Sequence, residues 1–363
     1  MHTQDILERL TQQPGVSGRE DGAASAAMEL LAPYGEPRLD RLGNLVCLLR
    51  SGASPSEAEI HLVLDAHLDE IGLIVTAIDD RGFLKVAACG GVDRRLLLAS
   101  QVTVHGAMGP VEGIVASIPP HLQTGEQKNP TVEEIAVDIG YSREEALRRV
   151  APGDRITFHG PFTPHLNGRV SSKALDNRAG CAVILKALEY LGNEPLHIAL
   201  TALFSTREET GGAGVQTGAF ALAPTHALVT DVSFGYAPGG DRCHSGEMDG
   251  GPMIGYAPVL SREVFDSLVA LAREEEIPYQ LEIMGGRTGT NSDGLAASRT
   301  GVKTGLISIP LLNMHSPVEI VSVRDVERCA RLMAAYIRRL SASSHLRGEG
   351  KGDKGEQKGG EAR

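Results

Sequence analysis

The chain has 363 residues, of which 42% are hydrophobic and 22% are charged. It is longer than one average domain of roughly 150 residues and has the composition of a globular protein, so we expect a large domain carrying a second, smaller unit. The formal net charge is −11, aromatic residues make up only 4%, and tryptophan is absent. These features exclude nucleic acid and anionic membranes as expected partners, because negative charge opposes both and few rings are available for base stacking.

The start of the chain has no basic residues followed by an apolar core, and no apolar run reaches the roughly 18 residues of a membrane span. The cysteines are scattered and form no Cys-x-x-Cys pair; they are Cys47, Cys89, Cys181, Cys243 and Cys329. We therefore expect reduced, mostly buried thiols in a cytoplasmic protein.

The first predicted strand is the apolar run over 60–64. From 71 to 164 the pattern changes to many short β-like runs broken by Gly, Pro and Asp, with one short helix capped by Ser142 and Glu145. This pattern predicts a small β-rich barrel or sandwich that is inserted into the main domain.

Alternating helices and strands return after residue 168. In chain order the pattern predicts a helix over 177–191, strands over 198–204 and 227–230, a helix over 262–275, a strand over 304–309 and a helix over 323–340. Such alternation is typical of an α/β domain with helices on both faces of a mostly parallel sheet. We assign 1–70 and 165–343 to this discontinuous domain, 71–164 to the inserted module, and the glycine-rich segment 344–363 to a disordered tail.

Histidine and carboxylate residues stand at the ends of the predicted strands, where side chains of neighbouring parallel strands converge on one crevice. They are His67, Asp69, Glu208, Glu209, Asp231 and His315, joined by Asp176 at the head of the helix over 177–191. Taken singly, each has a simpler explanation: a helix cap for Asp176, a structural hydrogen bond for either histidine, and solvated charge for the two glutamates.

Taken together, these residues would crowd negative charge into one cleft, which is costly unless a cation neutralises it. Imidazole and carboxylate without thiolate suit Zn²⁺, Co²⁺ or Mn²⁺, and a carboxylate that bridges two ions is a recurrent hydrolase arrangement. Other motifs fail: the glycine-rich run 211–218 lacks the dinucleotide-binding spacing, and neither a phosphate-binding P-loop nor a His-Glu-x-x-His zinc helix occurs.

Several motifs in order resemble those of the M42 family of metallo-aminopeptidases, the tetrahedral, dodecamer-forming type that includes glutamyl and deblocking aminopeptidases. The matching motifs are PGVSGRE (14–20), DAHLDEIG (65–72), SIPPHL (117–122), KALDNRAG (173–180), STREETGGAG (205–214), TDVS (230–233) and SIPLLNMHSPVE (308–319). The resemblance implies a zinc-peptidase-like mixed sheet flanked by helices, with the inserted β-rich module as a PDZ-like dimerisation domain. It further implies a homododecamer built from dimers.

The resemblance also implies a role for each candidate residue. His67, Asp176 and Asp231 would bind one divalent ion. The other would be bound by Asp176, Glu209 and His315, so that Asp176 bridges the two. Glu208 matches the general base that activates a metal-bridging water, and Asp69 matches the carboxylate that orients His67. The implied activity is hydrolysis of N-terminal residues from short peptides with two ions per subunit, Zn²⁺ or Co²⁺ and less commonly Mn²⁺.

Two segments depart from the family pattern. Leu312-Asn313 stands where members commonly carry Arg-Tyr, and the loop 285–294 (GGRTGTNSDG) differs from the commoner Gly-Thr-Asp form, with Asp293 as a candidate pocket residue. Two other functions stay open. One is a metal-dependent deacylase or amidohydrolase acting on N-acyl amino acids or sugars, and the other is a non-catalytic assembly protein.

Overall fold

A computed structural model describes residues 1–49, 53–122 and 129–352. The α-helices of this part of the chain are α1 (Thr3–Thr11), α2 (Asp21–Leu31), α3 (Arg143–Arg149), α4 (Leu175–Leu191), α5 (Ala213–Leu222), α6 (Arg262–Glu274), α7 (Ser292–Ala296) and α8 (Val323–Gly352). The strands are β1 (Arg38–Leu39), β2 (Leu45–Leu48), β3 (His61–His67), β4 (Gly72–Ile78), β5 (Leu84–Cys89), β6 (Gln101–Gly106), β7 (Gly109–Val115), β8 (Val137–Asp138), β9 (Arg155–Phe158), β10 (Thr163–Pro164), β11 (Arg169–Ser172), β12 (Ala199–Ser205), β13 (His226–Phe234), β14 (Met253–Tyr256), β15 (Gln280–Ile283), β16 (Lys303–Leu312) and β17 (Glu319–Ser322).

Most of the described strands form one mixed sheet. Its order is β1-β2-β12-β3-β13-β16-β17-β11-β10, and β14 pairs with both β16 and β15. The central strands β12, β3, β13 and β16 pair in parallel, whereas β2 pairs antiparallel with β12 and β17 pairs antiparallel with β16. The predicted α/β class is confirmed, but the mostly parallel arrangement holds only for the centre of the sheet.

Helices cover both faces of the central strands. Because side chains alternate across a strand, Leu62 and Leu64 of β3 enter the apolar cluster that contains the buried residues of α4, α8 and α1. Val63, between them, enters a second cluster formed with α5 and α7. The continuous apolar run of β3 thus reflects burial on both faces.

The inserted module is a closed barrel with strand order β4-β5-β8-β7-β6-β9 and an apolar core of its own. Within it, Ser142 and Glu145 cap α3 reciprocally, as predicted. The barrel strands end at Phe158, and β10 pairs with β11 of the large sheet. The chain therefore rejoins the large sheet before residue 164, slightly earlier than the predicted boundary.

Two element ends differ from the prediction. β13 continues to Phe234 because its ladder with β16 extends past residue 230, so Asp231 lies within a strand rather than after one. α8 continues to Gly352, into the segment 344–363 that we expect to be disordered; 353–363 lie outside the described residues. Ser344 is buried and the His345 ring stacks on His197 at 4.2 Å between centroids, so the first two residues of that segment pack against the domain.

In the described part of the chain, no helix combines the length and the apolar character needed to cross a bilayer. All five cysteines lie in the described part of the chain, and none forms a disulfide bond; Cys47, Cys89, Cys181 and Cys329 are buried, and Cys243 is exposed. The prediction of reduced, mostly buried thiols is therefore confirmed.

Candidate metal centre

The predicted site residues meet at one edge of the large sheet. β12, β3, β13 and β16 are parallel neighbours, so their carboxyl ends lie side by side. These strands and the loops that follow them carry His67, Asp69, Glu208, Glu209, Asp231 and His315. α4 begins at Leu175 and brings Asp176 to the same place.

Asp176 lies at the centre of this group. Its Oδ1 is 3.2 Å from Nε2 of His67, and its Oδ2 is 3.3 Å from Nε2 of His315. The Asp176 side chain is 8% exposed, and it makes no capping bond to α4. The simpler explanation of Asp176 as a helix cap therefore does not hold, because its two oxygens face two different histidines.

Each histidine turns Nε2 toward the carboxylates and uses Nδ1 elsewhere. Nδ1 of His67 is 3.1 Å from the carbonyl oxygen of Asp69, and Nδ1 of His315 is 3.0 Å from that of Gly91. A histidine whose Nδ1–H is held by a carbonyl presents an unprotonated Nε2, which is the form that binds a metal. Gly91 follows β5, so the barrel supplies the contact that orients His315.

The Asp69 carboxylate connects the two loops that carry candidate ligands. It accepts hydrogen bonds from the backbone N–H groups of Glu208 (2.9 Å) and Glu209 (3.1 Å) and from the hydroxyl of Ser17. Its Oδ1 lies 3.4 Å from Nδ1 of His67. Because Asp69 is completely buried, these bonds fix the glutamates relative to the end of β3.

Sequence reasoning missed three residues that support the site. Ser17 lies in the motif PGVSGRE (14–20), but nothing in the sequence pattern indicates its bond to Asp69. Gly91 follows Gly90 after a predicted β-run, and a Cβ at this position would lie 2.7 Å from Nδ1 of His315, so only glycine allows that approach. Glu319, four residues after His315, accepts backbone N–H bonds from Asp176 and His315.

Burial and mutual repulsion raise the pKa of several carboxyl groups at the site. Burial raises the pKa of the Glu208 carboxyl to about 7; His67 opposes the rise, and the negative charges of Glu209, Asp69 and Asp176 add to it. Burial also raises the pKa of Asp231 well above its ordinary value. Such a site favours any positive charge that neutralises its carboxylates.

The histidines respond in the opposite direction. Hydrogen bonds to Asp176 and Glu209 raise the pKa of His315 to about 11. Burial lowers the pKa of His67, but its bonds to Asp176 and Asp69 and the charge of Asp231 raise it well above the ordinary value. Both shifts have the same cause, since the surrounding carboxylates favour positive charge at this place.

The donor atoms fit divalent cations. His67, Asp176 and Asp231 place one ligand atom each within 4.8 Å of one another, and so do Asp176, Glu209 and His315. Nitrogen and carboxylate oxygen without sulfur is the donor set of Zn²⁺, Co²⁺ and Mn²⁺ in proteins. Asp176 belongs to both clusters, as a bridging carboxylate must.

A cavity of about 560 Å³ opens beside Glu208. Its walls include Phe220, Arg287, Asp293 and Arg299. Such a volume is typical of a small-molecule binding pocket and lies beside the candidate metal centre.

Asp293 lines this cavity, but its carboxylate is occupied within the loop. It accepts bonds from the backbone N–H groups of Thr288 (2.9 Å) and Gly289 (3.3 Å) and pairs with Arg287 at 3.1 Å. It therefore shapes the loop 285–294 and offers little to a ligand. The anchor of the loop is the buried Asn291, whose Nδ2 donates to Oδ2 of Asp65 at 2.8 Å.

Asn313, in the other segment that departs from the family pattern, has a φ of 58°. Asparagine adopts this left-handed conformation more readily than most residues. Its Nδ2 also donates to the carbonyl oxygen of Val318 at 3.2 Å, which closes the loop that carries His315.

The model for the M42 glutamyl aminopeptidase family matches residues 43–332. The chain belongs to the M42 aminopeptidase family. Lysyl aminopeptidase of Pyrococcus furiosus is 30% identical over 93% of this chain and 97% of its own length. The family, and with it the predicted class of peptide hydrolase, is confirmed.

Solved structures of M42-like aminopeptidases share the fold. Aminopeptidase APDkam598 from the archaeon Desulfurococcus kamchatkensis has a TM-score of 0.85 and 32% identity, covering 92% of this chain and 94% of that one. The TET1 peptidase of Pyrococcus horikoshii, described as assembling into a tetrahedron or a large octahedral shell, has a TM-score of 0.81 and 29% identity, covering 92% of this chain and 98% of that one.

Proposed function

We propose that this M42 protein is a dinuclear metal-dependent aminopeptidase that removes N-terminal residues from short peptides. The observation that carries the proposal is the geometry of Asp176, whose two oxygens face His67 and His315 at 3.2 and 3.3 Å. Asp231 completes the cluster on the first side, and Glu209 completes the cluster on the second. One carboxylate shared between two such clusters is the arrangement that a pair of bridged cations requires.

When bound, two divalent cations would polarise the scissile carbonyl and lower the pKa of water at the site. The chain supplies the remaining chemistry. The Glu208 side chain is 20% exposed, lines the cavity, and has Oε2 4.0 Å from Nε2 of His67. A carboxylate oxygen of Glu208 can take a proton from the attacking water and return it to the leaving amine.

Glu208 and Glu209 have different roles in this proposal because they are differently placed. Glu209 is 5% exposed at its side chain and lies 3.4 Å from Nε2 of His315, which suits a ligand. Glu208 is more open to the cavity; it forms a third cluster with His67 and Glu209 but belongs to neither of the two clusters that share Asp176. Asp69 holds the backbone of both glutamates, so each keeps its direction.

The test of the proposal compares Glu208→Gln with Glu209→Gln, using aminoacyl-p-nitroanilides with Zn²⁺ or Co²⁺. A general base contributes about 10²–10⁴-fold to the rate, so E208Q should lose that much kcat and still bind two cations. E209Q should lose a cation as well as activity. Near wild-type turnover of metal-loaded E208Q would contradict the assignment of the base.

The same assay separates aminopeptidase from deacylase activity. Peptides with a free N-terminal amine should be hydrolysed, whereas N-acetylated peptides and N-acyl amino acids should not. Preference for the acylated substrates would instead favour the deacylase or amidohydrolase alternative. An inert protein that binds both cations would favour an assembly role.

We also propose that the protein is a cytoplasmic homododecamer built from dimers, with the barrel as a PDZ-like dimerisation domain. The barrel has its own core, so it can present a surface independently of the large sheet. Met108 and Ile114 of this module are 70% and 51% exposed. The assembly described for the Pyrococcus horikoshii relative supports the proposal. Light scattering that finds only monomers at micromolar concentration would contradict it.

A further inference from the structure

Glu319 connects two candidate ligands that are far apart in the sequence. It is the first residue of β17 and is 2% exposed. Its Oε2 accepts the backbone N–H of Asp176 at 3.0 Å, and its Oε1 accepts that of His315 at 2.9 Å. One side chain therefore joins the start of α4 to the loop after β16.

The two backbone bonds determine how the side chains of the same residues face each other. Oδ2 of Asp176 and Nε2 of His315 are 3.3 Å apart. His315 has a φ of 61°, a left-handed conformation that a non-glycine residue keeps only when its surroundings hold it. The bond from its N–H to Glu319 is one such restraint, and the contact of its Nδ1 with Gly91 is the other.

Glu319 is not itself a candidate ligand, since it belongs to none of the clusters that the described residues form. Both of its carboxylate oxygens accept backbone N–H groups. Asp69 acts in the same way on the other side of the site, where it accepts the backbone N–H groups of Glu208 and Glu209. Two buried carboxylates thus hold the main chain of four site residues.

We propose that Glu319 is a positioning residue whose carboxylate sets the separation of Asp176 and His315, and thereby the cation affinity of the cluster that these two form with Glu209. The inference rests on the proposed dinuclear function. A ligand set held rigidly before binding loses less conformational freedom on binding. Loss of either backbone bond to Glu319 should therefore lower the affinity for the cation. The cluster of His67, Asp176 and Asp231 should be affected less, because His67 and Asp231 do not contact Glu319.

The test is Glu319→Gln in the full-length protein, because the amide has nearly the same shape but only one acceptor. Its NH₂ group opposes one of the two N–H donors, so one of the backbone bonds is lost. Asp325→Asn is the matched control. Asp325 is completely buried and accepts the backbone N–H groups of Asp249 (2.7 Å) and Gly251 (2.9 Å), away from the candidate metal centre.

The metal-free proteins are titrated with Zn²⁺ and with Co²⁺ by calorimetry, and the visible absorption of the Co²⁺-loaded forms is recorded. We expect E319Q to bind one of two cations about 10–100-fold more weakly, with an altered Co²⁺ spectrum. D325N should lose thermal stability while both affinities and the spectrum stay unchanged. Unchanged affinities and spectrum in E319Q would overturn the proposal.

If E319Q does not fold, Glu319→Asp replaces it. This variant keeps the charge and both acceptors but withdraws them by one methylene group, so it should also weaken one cation selectively. Equal affinities in E319D and wild type would then overturn the proposal. A different result would contradict the proposed dinuclear function: wild-type protein would itself bind fewer than two cations, independently of the residue at 319.

Discussion

Replacing Arg178 by Ala should strongly destabilise the fold beneath the candidate metal centre. The guanidinium is completely buried and donates to the carbonyl oxygens of Leu68 (3.1 Å) and Leu10 (2.7 Å). It also donates to the carbonyl oxygen of Gln13 and lies 3.2 Å from the Glu70 carboxylate. Arg178 therefore attaches the end of α1 to the segment that contains Leu68, between His67 and Asp69.

The expected loss of stability depends on which hydrogen-bond partners the neighbours of Arg178 keep after the substitution. Leu68 loses its side-chain donor, whereas Glu70 keeps Lys173 at 2.7 Å. A buried acceptor without a donor costs about 1–3 kcal/mol, and removing one partner of a buried ion pair costs about 3–5 kcal/mol. Because Lys173 still neutralises Glu70, we take the lower limits of the two ranges, about 1 and about 3 kcal/mol, which together lower the free energy of unfolding by about 4 kcal/mol.

The measurement is urea unfolding of the metal-free protein followed by circular dichroism. Arg262→Ala is the control, because Arg262 forms a pair with Asp266 at 2.8 Å that is exposed to solvent, and its loss should barely shift the unfolding midpoint. If R178A shifted the midpoint no more than R262A does, the argument from buried hydrogen bonds would be refuted.

Three further changes have measurable outcomes. Ser17→Ala removes a donor to Asp69 and should lower cation affinity or activity by about 10–100-fold, measured by calorimetry and peptide hydrolysis. Gly91→Ala places a Cβ 2.7 Å from Nδ1 of His315, so that imidazole must move and cation binding in equilibrium dialysis should weaken. Burial lowers the pKa of His61 below its ordinary value of 6.5. Below that pH the unfolded chain binds a proton at His61 more readily than the native state does, so the native state becomes less stable as the pH falls. His61→Gln should flatten this loss in urea unfolding between about pH 5 and pH 7.

Each of these changes has a clear control or contrary result. Gly286→Ala adds a Cβ with no atom within 4 Å, so it should leave cation binding unchanged. Wild-type affinity and activity in S17A would show that the hydroxyl does not support Asp69. A pH dependence as steep in H61Q as in the wild type would assign the loss of stability to other groups.

The site side chains were predictable because they stand where apolar runs end. His67 closes the run of β3, and His315 follows that of β16. The supporting residues left no such signal. Glu319 binds backbone N–H groups, which every residue type except proline carries, so no spacing in the sequence marks its partners. Gly91 approaches His315 across the boundary between barrel and sheet, and that approach exists only in the folded chain.

The boundaries of the elements likewise depend partly on local sequence and partly on tertiary contacts. Periodicity located α4 and the centre of β13, but the pairing of β13 with β16 carried that strand past Asp231. Low hydrophobicity predicted disorder from 344, whereas Ser344 and His345 lie in α8 and pack against the domain. Local composition measures the tendency of a segment in isolation, and tertiary contacts overrode that tendency at both ends.

The sequence by itself determined the types of most elements, the inserted module and the set of histidines and carboxylates at the strand ends. These depend on local patterns, because hydrophobic periodicity and turn residues act over a few positions. Tertiary structure alone decided the antiparallel edges of the sheet, the division of the two Asp176 oxygens between His67 and His315, and the anchoring by Asp69 and Glu319. Those features join segments that lie far apart along the chain, so they depend on how the whole chain packs and not on any local preference.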